Sequence, residues 1–186
     1  MTAPTSLAAV PPRPEGAKPD HVHAVVETPK GSRAKYDFEP ALGVMMLKKE
    51  MPAGSVFPFD FGFVPGTLGG DGDPLDVLVV TDMDSAMYPG VVLEARLVGV
   101  FEAEQTERDG EREENDRLVA VAACSRRLAE VRTLDDLGAA VLGEVEHFFR
   151  SYNEETGKEV NFKGRGGPER AAALVDEGVR RAGEGR

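Results

Sequence analysis

Residues 71–80 are the most informative stretch of the chain: Asp71-Gly72-Asp73-Pro74-Leu75-Asp76 is followed directly by Val77-Leu78-Val79-Val80. Gly and Pro favour a tight turn, whereas a run of aliphatic and β-branched residues favours a buried strand. The sequence therefore predicts an acidic turn that leads into a strand over residues 75–81.

The three aspartates of this turn favour a bound cation. Like charges a few ångströms apart repel one another, and a hard divalent cation relieves the repulsion by binding several carboxylate oxygens. The segment does not fit an EF-hand loop, because Asp76 stands where that loop requires Gly. An ordinary Asp-rich turn that caps a strand explains the same residues equally well, so this segment alone leaves both interpretations open.

Short apolar segments separated by turn residues make up most of the remaining chain. Period-two patterns predict strands, and clusters of Gly, Pro and Asp end them. Several short strands with turns between them are typical of a barrel or a sandwich. Besides 75–81, strands are predicted over residues 21–27, 35–38, 43–47, 91–102 and 117–123.

The last third of the chain changes to helical spacing. Apolar residues recur every three or four positions between Leu134 and Tyr152, which predicts one helical face. Thr133 followed by Asp136 predicts the start of this helix, and Gly157 lies beyond its end. A second helix is predicted from Pro168 to about residue 181, because Pro is tolerated at the first helical position.

Length and composition indicate one domain. The 186 residues carry 22 Lys and Arg against 33 Asp and Glu, which gives a net charge of −11 and a pI near 4.8. We expect a single domain over residues 21–186, behind a flexible Pro-rich tail over residues 1–20 that cannot bury enough apolar surface to fold.

Charge, hydropathy and cysteine content narrow the choice of partners and of cellular compartment. The acidic balance disfavours a nucleic-acid partner, which would need a clustered basic surface. No apolar run approaches the ~18 residues of a membrane span, so no membrane partner is expected. A single cysteine, Cys124, and the absence of a secretory leader pattern predict a cytoplasmic protein.

Basic residues nevertheless gather in two short segments. Lys and Arg bind phosphate oxygens, and a divalent metal between carboxylates and phosphate would complete a site for phosphoryl transfer to water. Any one of these side chains could instead pair with a surface acid. The basic residues are Lys30, Arg33, Lys35, Lys48 and Lys49.

Several other chemistries lack their motifs. The chain has neither a phosphate-binding P-loop nor the Gly-x-Ser-x-Gly turn of a serine hydrolase. His21 and His23 share one strand face, but no third soft ligand lies nearby in the sequence. A zinc site is therefore disfavoured.

Taken in order, these motifs resemble those of the soluble family I inorganic pyrophosphatases. The resemblance covers about residues 21–153 and is carried by segments 27–37, 58–63, 71–79, 96–100 and 147–152. It implies a mainly β, α+β fold: a five-stranded OB-like twisted barrel with two flanking C-terminal helices. It also implies hydrolysis of pyrophosphate to two phosphates with several Mg²⁺ ions. A homo-oligomer, often a hexamer, is the assembly that it suggests.

The resemblance further implies roles for the acidic residues. Asp71 and Asp76 correspond to ligands of the metals that activate the attacking water, and Asp73 corresponds to its general base. Glu27 and Asp37 correspond to metal ligands on the leaving-group side. These roles agree with the cation predicted from the acidic turn.

The resemblance implies phosphate contacts from Lys35, Lys49 and Tyr152, but the chain departs from the family around them. The family usually has Arg at Lys49, so a two-pronged donor becomes a point charge. It also has a Lys at Asn153, and a cation elsewhere would have to substitute. The candidate substitutes are Lys158, Lys163 and Arg165, and two further departures are Phe57 and Phe61, where the family has Tyr.

The family's remaining metal-binding loop corresponds to a longer segment, residues 105–117. Alignment on the following apolar run places Asn115 where an aspartate is expected. Asp116 is the predicted metal ligand in its place, after a backbone shift. Asp109, Glu104 and Glu107 are the other candidates.

These departures leave two alternatives to a pyrophosphatase. The apolar rings of Phe57 and Phe61 suggest hydrolysis of another phosphoanhydride. A non-catalytic metal-binding or anion-binding module would keep the barrel without turnover. The retained acidic turn argues against that module, because a barrel has no structural need for three clustered acids.

Overall fold

The computed structural model describes residues 6–184, which form nine strands, two long helices and two short 3₁₀ turns. None of the described helices is long and apolar enough to cross a membrane. The strands are β1 (His21–Thr28), β2 (Ala34–Glu39), β3 (Val44–Glu50), β4 (Asp60–Phe63), β5 (Asp76–Val80), β6 (Val92–Thr106), β7 (Arg112–Glu114), β8 (Arg117–Ala122) and β9 (Glu159–Gly166). The helices are α1 (Ala139–Glu155) and α2 (Pro168–Glu184), and the 3₁₀ turns are Leu7–Ala9 and Asp135–Leu137.

Five strands close into a barrel. The order is β1-β4-β5-β8-β6, and β6 pairs with β1 to complete the ring. All pairs in the ring are antiparallel except β5 with β8. Strands β7 and β9 extend β6 beyond the ring, and β2 and β3 form a separate hairpin. The predicted five-stranded barrel with two C-terminal helices is confirmed.

Strand β6 bends sharply at Gly99. The pairing of β6 with β8 shifts register between Leu97 and Gly99, which marks a β-bulge. Gly99 has a φ of +155°, and a Cβ atom there would lie 2.5 Å from Leu134 Cγ and 2.6 Å from the Gly166 carbonyl oxygen. Bulges of this kind increase local twist and curvature, so this glycine helps the 15-residue strand to close the ring.

The ring strands are buried on both faces. Val77 and Val79 pack in a cluster with α2, whereas Leu78 between them packs in a second cluster with α1. Successive side chains of a strand point to opposite faces, so one continuous apolar run serves both clusters. This explains why the run after the acidic turn contains no polar residue.

Three strands and one helix boundary differ from the sequence predictions. Strands β4, β7 and β9 are not predicted by the period-two pattern, and α1 begins at Ala139 rather than near Thr133. The carboxylate of Asp136 accepts the backbone amide and the hydroxyl of Thr133 at 2.9 and 3.0 Å. This capping pair closes a 3₁₀ turn, which Gly138 separates from α1.

The described part of the N-terminal segment contacts β1 and α2. The backbone amide of His23 donates to the Pro12 carbonyl at 2.9 Å, and the Arg13 guanidinium donates to Asp176 Oδ1 at 2.7 Å. Residues 1–5 of the predicted tail lie outside the described residues. The flexibility of the tail over residues 1–20 stays a prediction.

Candidate active site

A cleft of about 810 Å³ lies between the barrel, the β2–β3 hairpin and the end of α1. Eight of the nine site residues predicted from the sequence line it, and they come from five separate parts of the chain. Their carboxylates, cations and phenol share one solvent-filled space. These eight residues are Glu27, Lys35, Asp37, Lys49, Asp71, Asp73, Asp76 and Tyr152.

The acidic turn is closed by its own hydrogen bonds. Asp71 Oδ1 accepts the amide of Asp73 at 3.1 Å, and the Asp73 carbonyl accepts the amide of Gly69 at 2.6 Å. Burial is the largest cause of a raised pKa at Asp71. Asp71 therefore stabilises the turn and also exposes a carboxylate to the cleft, so the two interpretations of this segment are compatible.

Asp76 begins β5 beside a buried arginine. Arg117 NH2 lies 4.0 Å from Asp76 Oδ2, and Arg117 itself is 3% exposed. Burial raises the pKa of Asp76 to about 6, although the positive charge of Arg117 opposes the change. Two half-buried carboxylates, Asp76 and Asp71, thus face a single guanidinium, and added positive charge would stabilise them.

Glu27 lies at the end of β1 with one hydrogen bond to its carboxylate. Its Oε1 accepts the amide of Phe38 at 2.7 Å. Burial raises the pKa of Glu27 to about 7, against the opposing effects of this hydrogen bond and of Lys35. The ammonium of Lys35 is bound directly by Asp37 on the same strand.

Tyr152 lies at the end of the cleft that carries Lys35 and Lys49, which we call the basic end. The Nζ atom of Lys49 lies 3.8 Å from the centroid of its ring, a cation–π contact that fixes the lysine. Burial raises the pKa of the Tyr152 phenol, so the hydroxyl stays protonated at neutral pH and can donate a hydrogen bond. Phe57 and Phe148 pack against the ring.

Asp116 is the predicted site residue that the structure does not bring to the cleft. Its Oδ1 accepts the amide of Ala103 at 3.0 Å, and it borders a neighbouring cavity of about 40 Å³, which Asp71 and Asp76 border as well. The adjacent Asn115 borders both the cleft and this cavity. Asp116 therefore lies next to the predicted metal ligands of the acidic turn, but outside the cleft that holds the other eight site residues.

Other basic candidates from the sequence are divided between the cleft and the surface. Lys48 lines the cleft, whereas Arg33 pairs with Glu50 at 3.0 Å outside it. Sequence reasoning gave no role to Arg117, although it is buried in the wall of the cleft. The available signal was a charged residue at the start of a predicted strand whose other residues, 118–122, are all apolar.

The donor set of the cleft fits a divalent metal. Hard divalent cations such as Mg²⁺ and Ca²⁺ prefer carboxylate oxygens, and burial leaves Asp76 and Glu27 short of compensating positive charge. Within residues 6–184, no three acidic, His or Cys side chains are already gathered at ligand spacing. A divalent cation would draw carboxylates of this cleft together, because it neutralises their mutual repulsion.

The barrel and its cleft together define a metal-assisted hydrolase for a phosphate compound. Carboxylates suited to metal lie beside lysines and a phenol suited to phosphate oxygens, in one cleft. The family model described as inorganic pyrophosphatase matches residues 24–183. The chain belongs to the inorganic pyrophosphatase family.

Individual relatives agree with this assignment. The chain is 38% identical over 165 residues to the inorganic pyrophosphatase of Thermus thermophilus, covering 88% of this chain and 90% of that one. It is 35% identical to that of Sulfolobus acidocaldarius, covering 90% and 94%. Among solved structures, the Thermus thermophilus enzyme has a TM-score of 0.81 at 34% identity, with 91% and 96% coverage. The inorganic pyrophosphatase of Neisseria gonorrhoeae has a TM-score of 0.82 at 29% identity, with 95% and 98% coverage.

These findings confirm the predicted family and enzyme class. The chain is an inorganic diphosphatase by family, and the family implies a divalent metal cofactor. The alternative of a non-catalytic module is not supported.

Proposed function

We propose that this chain hydrolyses inorganic pyrophosphate to two phosphates with Mg²⁺ held by Asp71, Asp76, Glu27 and Asp37. The observation that carries the proposal is the single cleft, which joins these carboxylates to the cations and phenol described above. Mg²⁺ suits the donors because it prefers carboxylate oxygen and commonly binds together with substrate phosphate.

Asp73 is the proposed general base. Its side chain is exposed at the tip of the acidic turn, between the two aspartates assigned to metal. When bound, Mg²⁺ supplies charge neutralisation and a lower pKa for a coordinated water. A carboxylate within hydrogen-bond reach of that water can accept its proton.

The basic end of the cleft is the proposed phosphate-binding region. Lys35 and Lys49 are each fixed by a neighbour, Asp37 and the Tyr152 ring, so little side-chain freedom is lost when they bind an anion. The protonated phenol of Tyr152 can donate to the outgoing phosphate. We leave Asp116 out of the proposed ligand set, because it does not line the cleft and its Oδ1 already accepts the Ala103 amide.

We also infer a homo-oligomer, for which the family resemblance suggests a hexamer. Several apolar side chains near the β2–β3 hairpin and the 81–91 loop are exposed, which is typical of interaction surfaces. They include Leu42 (66%), Leu47 (61%) and Tyr88 (79%). Light scattering of the purified protein measures the number of subunits in the assembly.

A cytoplasmic location stays a prediction, supported by the single exposed Cys124.

Phosphate release by the purified protein tests the activity. Pyrophosphate, ATP and a simple phosphomonoester are compared while Mg²⁺ is titrated. We expect Mg²⁺-dependent release confined to pyrophosphate. Release from ATP alone, or release that is indifferent to Mg²⁺, would contradict the proposal.

The buried positions of Phe57 (1% exposed) and Phe61 (6%) give these rings a packing role, which favours pyrophosphate over a larger anhydride.

A further inference from the structure

The end of helix α1 fixes Lys158 at the rim of the cleft. The backbone amides of Thr156 and Lys158 both donate to the Asn153 carbonyl at 2.9 Å. Gly157 between them has a φ of +72°, the left-handed conformation that commonly ends a helix. The carbonyl end of a helix carries partial negative charge, which favours a cation there. The backbone of Lys158 is therefore firmly placed.

The β6–β7 hairpin holds the side chain of Lys158. Its Nζ donates to Glu107 Oε1 at 2.7 Å, and the same oxygen accepts Gln105 Nε2 at 2.6 Å. Arg108 Nε donates to the Thr156 carbonyl at 2.6 Å, a second link between the hairpin and the end of α1. An ammonium has three donors. Among the described residues Lys158 uses one of them, so further donors are available to an anion.

Lys158 differs in its position from the other two cations named as substitutes for the family's lysine. Lys163 pairs with Glu104 at 2.8 Å, and Arg165 pairs with Glu146 at 2.6 Å. Neither residue lines the cleft, whereas Lys158, Glu107 and Gln105 do. Lys163 and Arg165 occupy exposed positions of β9, whereas Lys158 precedes the strand and is half-buried.

The wall beside Lys158 lacks partners for its polar groups. Asn153 is 2% exposed, and its Nδ2 has no hydrogen-bond partner among the described residues. Burial and Lys35 lower the pKa of Lys49, and repulsion from Lys158 adds to the effect. Amide and ammonium donors thus face one part of the cleft together with Tyr152. An anion bound there would relieve the repulsion between the ammonium groups of Lys49 and Lys158.

We propose that Lys158 binds a phosphate oxygen of pyrophosphate or of product phosphate, next to Tyr152 and Asn153, while Glu107 holds its ammonium in place. The inference rests on the proposed function and deepens it. The cation missing at Asn153 is supplied five residues later in the chain, from the turn after α1, and the longer β6–β7 hairpin positions it.

Kinetics of the full-length protein with Mg²⁺ test this assignment. Lys158→Gln is expected to raise the KM for pyrophosphate and the inhibition constant for inorganic phosphate about tenfold, because a charge-assisted bond at a partly exposed site is lost. A smaller change is expected in kcat. Lys158→Arg, which keeps the charge, is expected to recover most of the affinity.

Lys163→Gln is the matched control. It breaks a Lys–Glu pair of nearly the same length, 2.8 Å against 2.7 Å, five residues later in the chain and outside the cleft. We expect it to leave both constants unchanged. The assignment would be overturned if Lys158→Gln kept both the KM and the inhibition constant within about twofold of the wild-type values, or if the two Gln variants changed them equally. Either result would mean that the pair of Lys158 with Glu107 is only structural.

Calorimetric binding of inorganic phosphate in Mg²⁺ separates this inference from the proposed function. A wild-type protein that does not hydrolyse pyrophosphate contradicts the function. Whether or not the wild type hydrolyses pyrophosphate, weaker phosphate binding by Lys158→Gln than by Lys163→Gln supports Lys158 as a phosphate ligand. Equal phosphate binding by the two variants overturns that role.

Discussion

At the scale of single residues, the site is dominated by carboxylates whose ionisation is unfavourable without metal. Burial raises the pKa of Glu27 from 4.5 to about 7. A group whose pKa is higher in the folded state binds more protons there, so its ionisation destabilises the fold. In the metal-free protein this cost is absent below pH 4.5 and complete above about pH 7.

Glu27→Gln is therefore expected to stabilise the metal-free protein at high pH. The amide oxygen can still accept the Phe38 amide, and the buried charge is gone. We expect the free energy of unfolding at pH 8 in EDTA to rise by about 1–3 kcal/mol, with most of the gain lost at pH 4.5. Urea unfolding at the two pH values measures it. The same gain at both values would mean that ionisation of Glu27 is not the cause.

Asp71 tests whether an aspartate of the turn has a role beyond the turn. Asp71 and Asp109 each accept an amide two residues ahead at 3.1 Å, but only Asp71 lines the cleft. Asn can keep that hydrogen bond while losing the charge that binds metal. Asp71→Asn is expected to raise the Mg²⁺ concentration for half-maximal activity at least about tenfold, and Asp109→Asn to leave it unchanged. If the two variants required the same Mg²⁺ concentration, Asp71 would have no role beyond closing the turn.

The sequence indicates the direction of the acidic turn more directly than that of the 105–117 segment, for a physical reason. The turn is short and closed by local hydrogen bonds, so its direction follows from its own residues. Asn115 and Asp116 follow β7, so their orientation depends on how β7 pairs with β6. Asp109-Gly110 indicates a hairpin turn there, but a shift of one residue in the pairing would exchange the two faces of the strand. Arg117 escaped notice because its importance comes from burial.

At the scale of elements, the predicted strands have either a continuous apolar run, as in β5 and β8, or a regular polar–apolar alternation, as in β1 and β2. Strand β4 has only four residues, one of them glycine, and β9 alternates weakly between charged and apolar positions. Both are strands because neighbours pair with them. Pairing of this kind is a tertiary property, since strand formation depends strongly on context.

The bulge in β6 is an element-scale feature that one substitution can test. Gly99→Ala places a methyl group against Leu134 and the Gly166 carbonyl. We expect it to lower the free energy of unfolding by about 2–4 kcal/mol. Gly143→Ala is the contrasting variant, because a Cβ atom at this position in α1 meets nothing within 4 Å. It is expected to raise stability by about 0.5–1 kcal/mol. Urea unfolding that ranks the two variants the other way would contradict the bulge geometry.

At the scale of the whole molecule, the open question is whether the N-terminal segment is part of the folded unit. Its composition predicts a flexible tail over residues 1–20, but Arg13 also donates to the Ala172 carbonyl of α2 at 3.3 Å, in addition to its ion pair with Asp176. The side chain of His23 is bonded to the Pro11 carbonyl at 2.7 Å. These contacts join the segment to the first strand and the last helix, both of which contribute residues to one core cluster.

Removal of residues 1–19 is expected to lower the melting temperature by about 2–8 °C, because about 1–2 kcal/mol of contacts with β1 and α2 is lost. Asp20 is retained, since its carbonyl accepts the amide of Leu97 at 2.7 Å in β6. Arg13→Gln in the full-length chain is expected to give a smaller part of the same loss, because it keeps the backbone bond between His23 and Pro12. Thermal unfolding of the three proteins at one concentration and one Mg²⁺ level measures both effects. A truncated protein that melts with the wild type would establish the segment as a tail that contributes nothing to the fold.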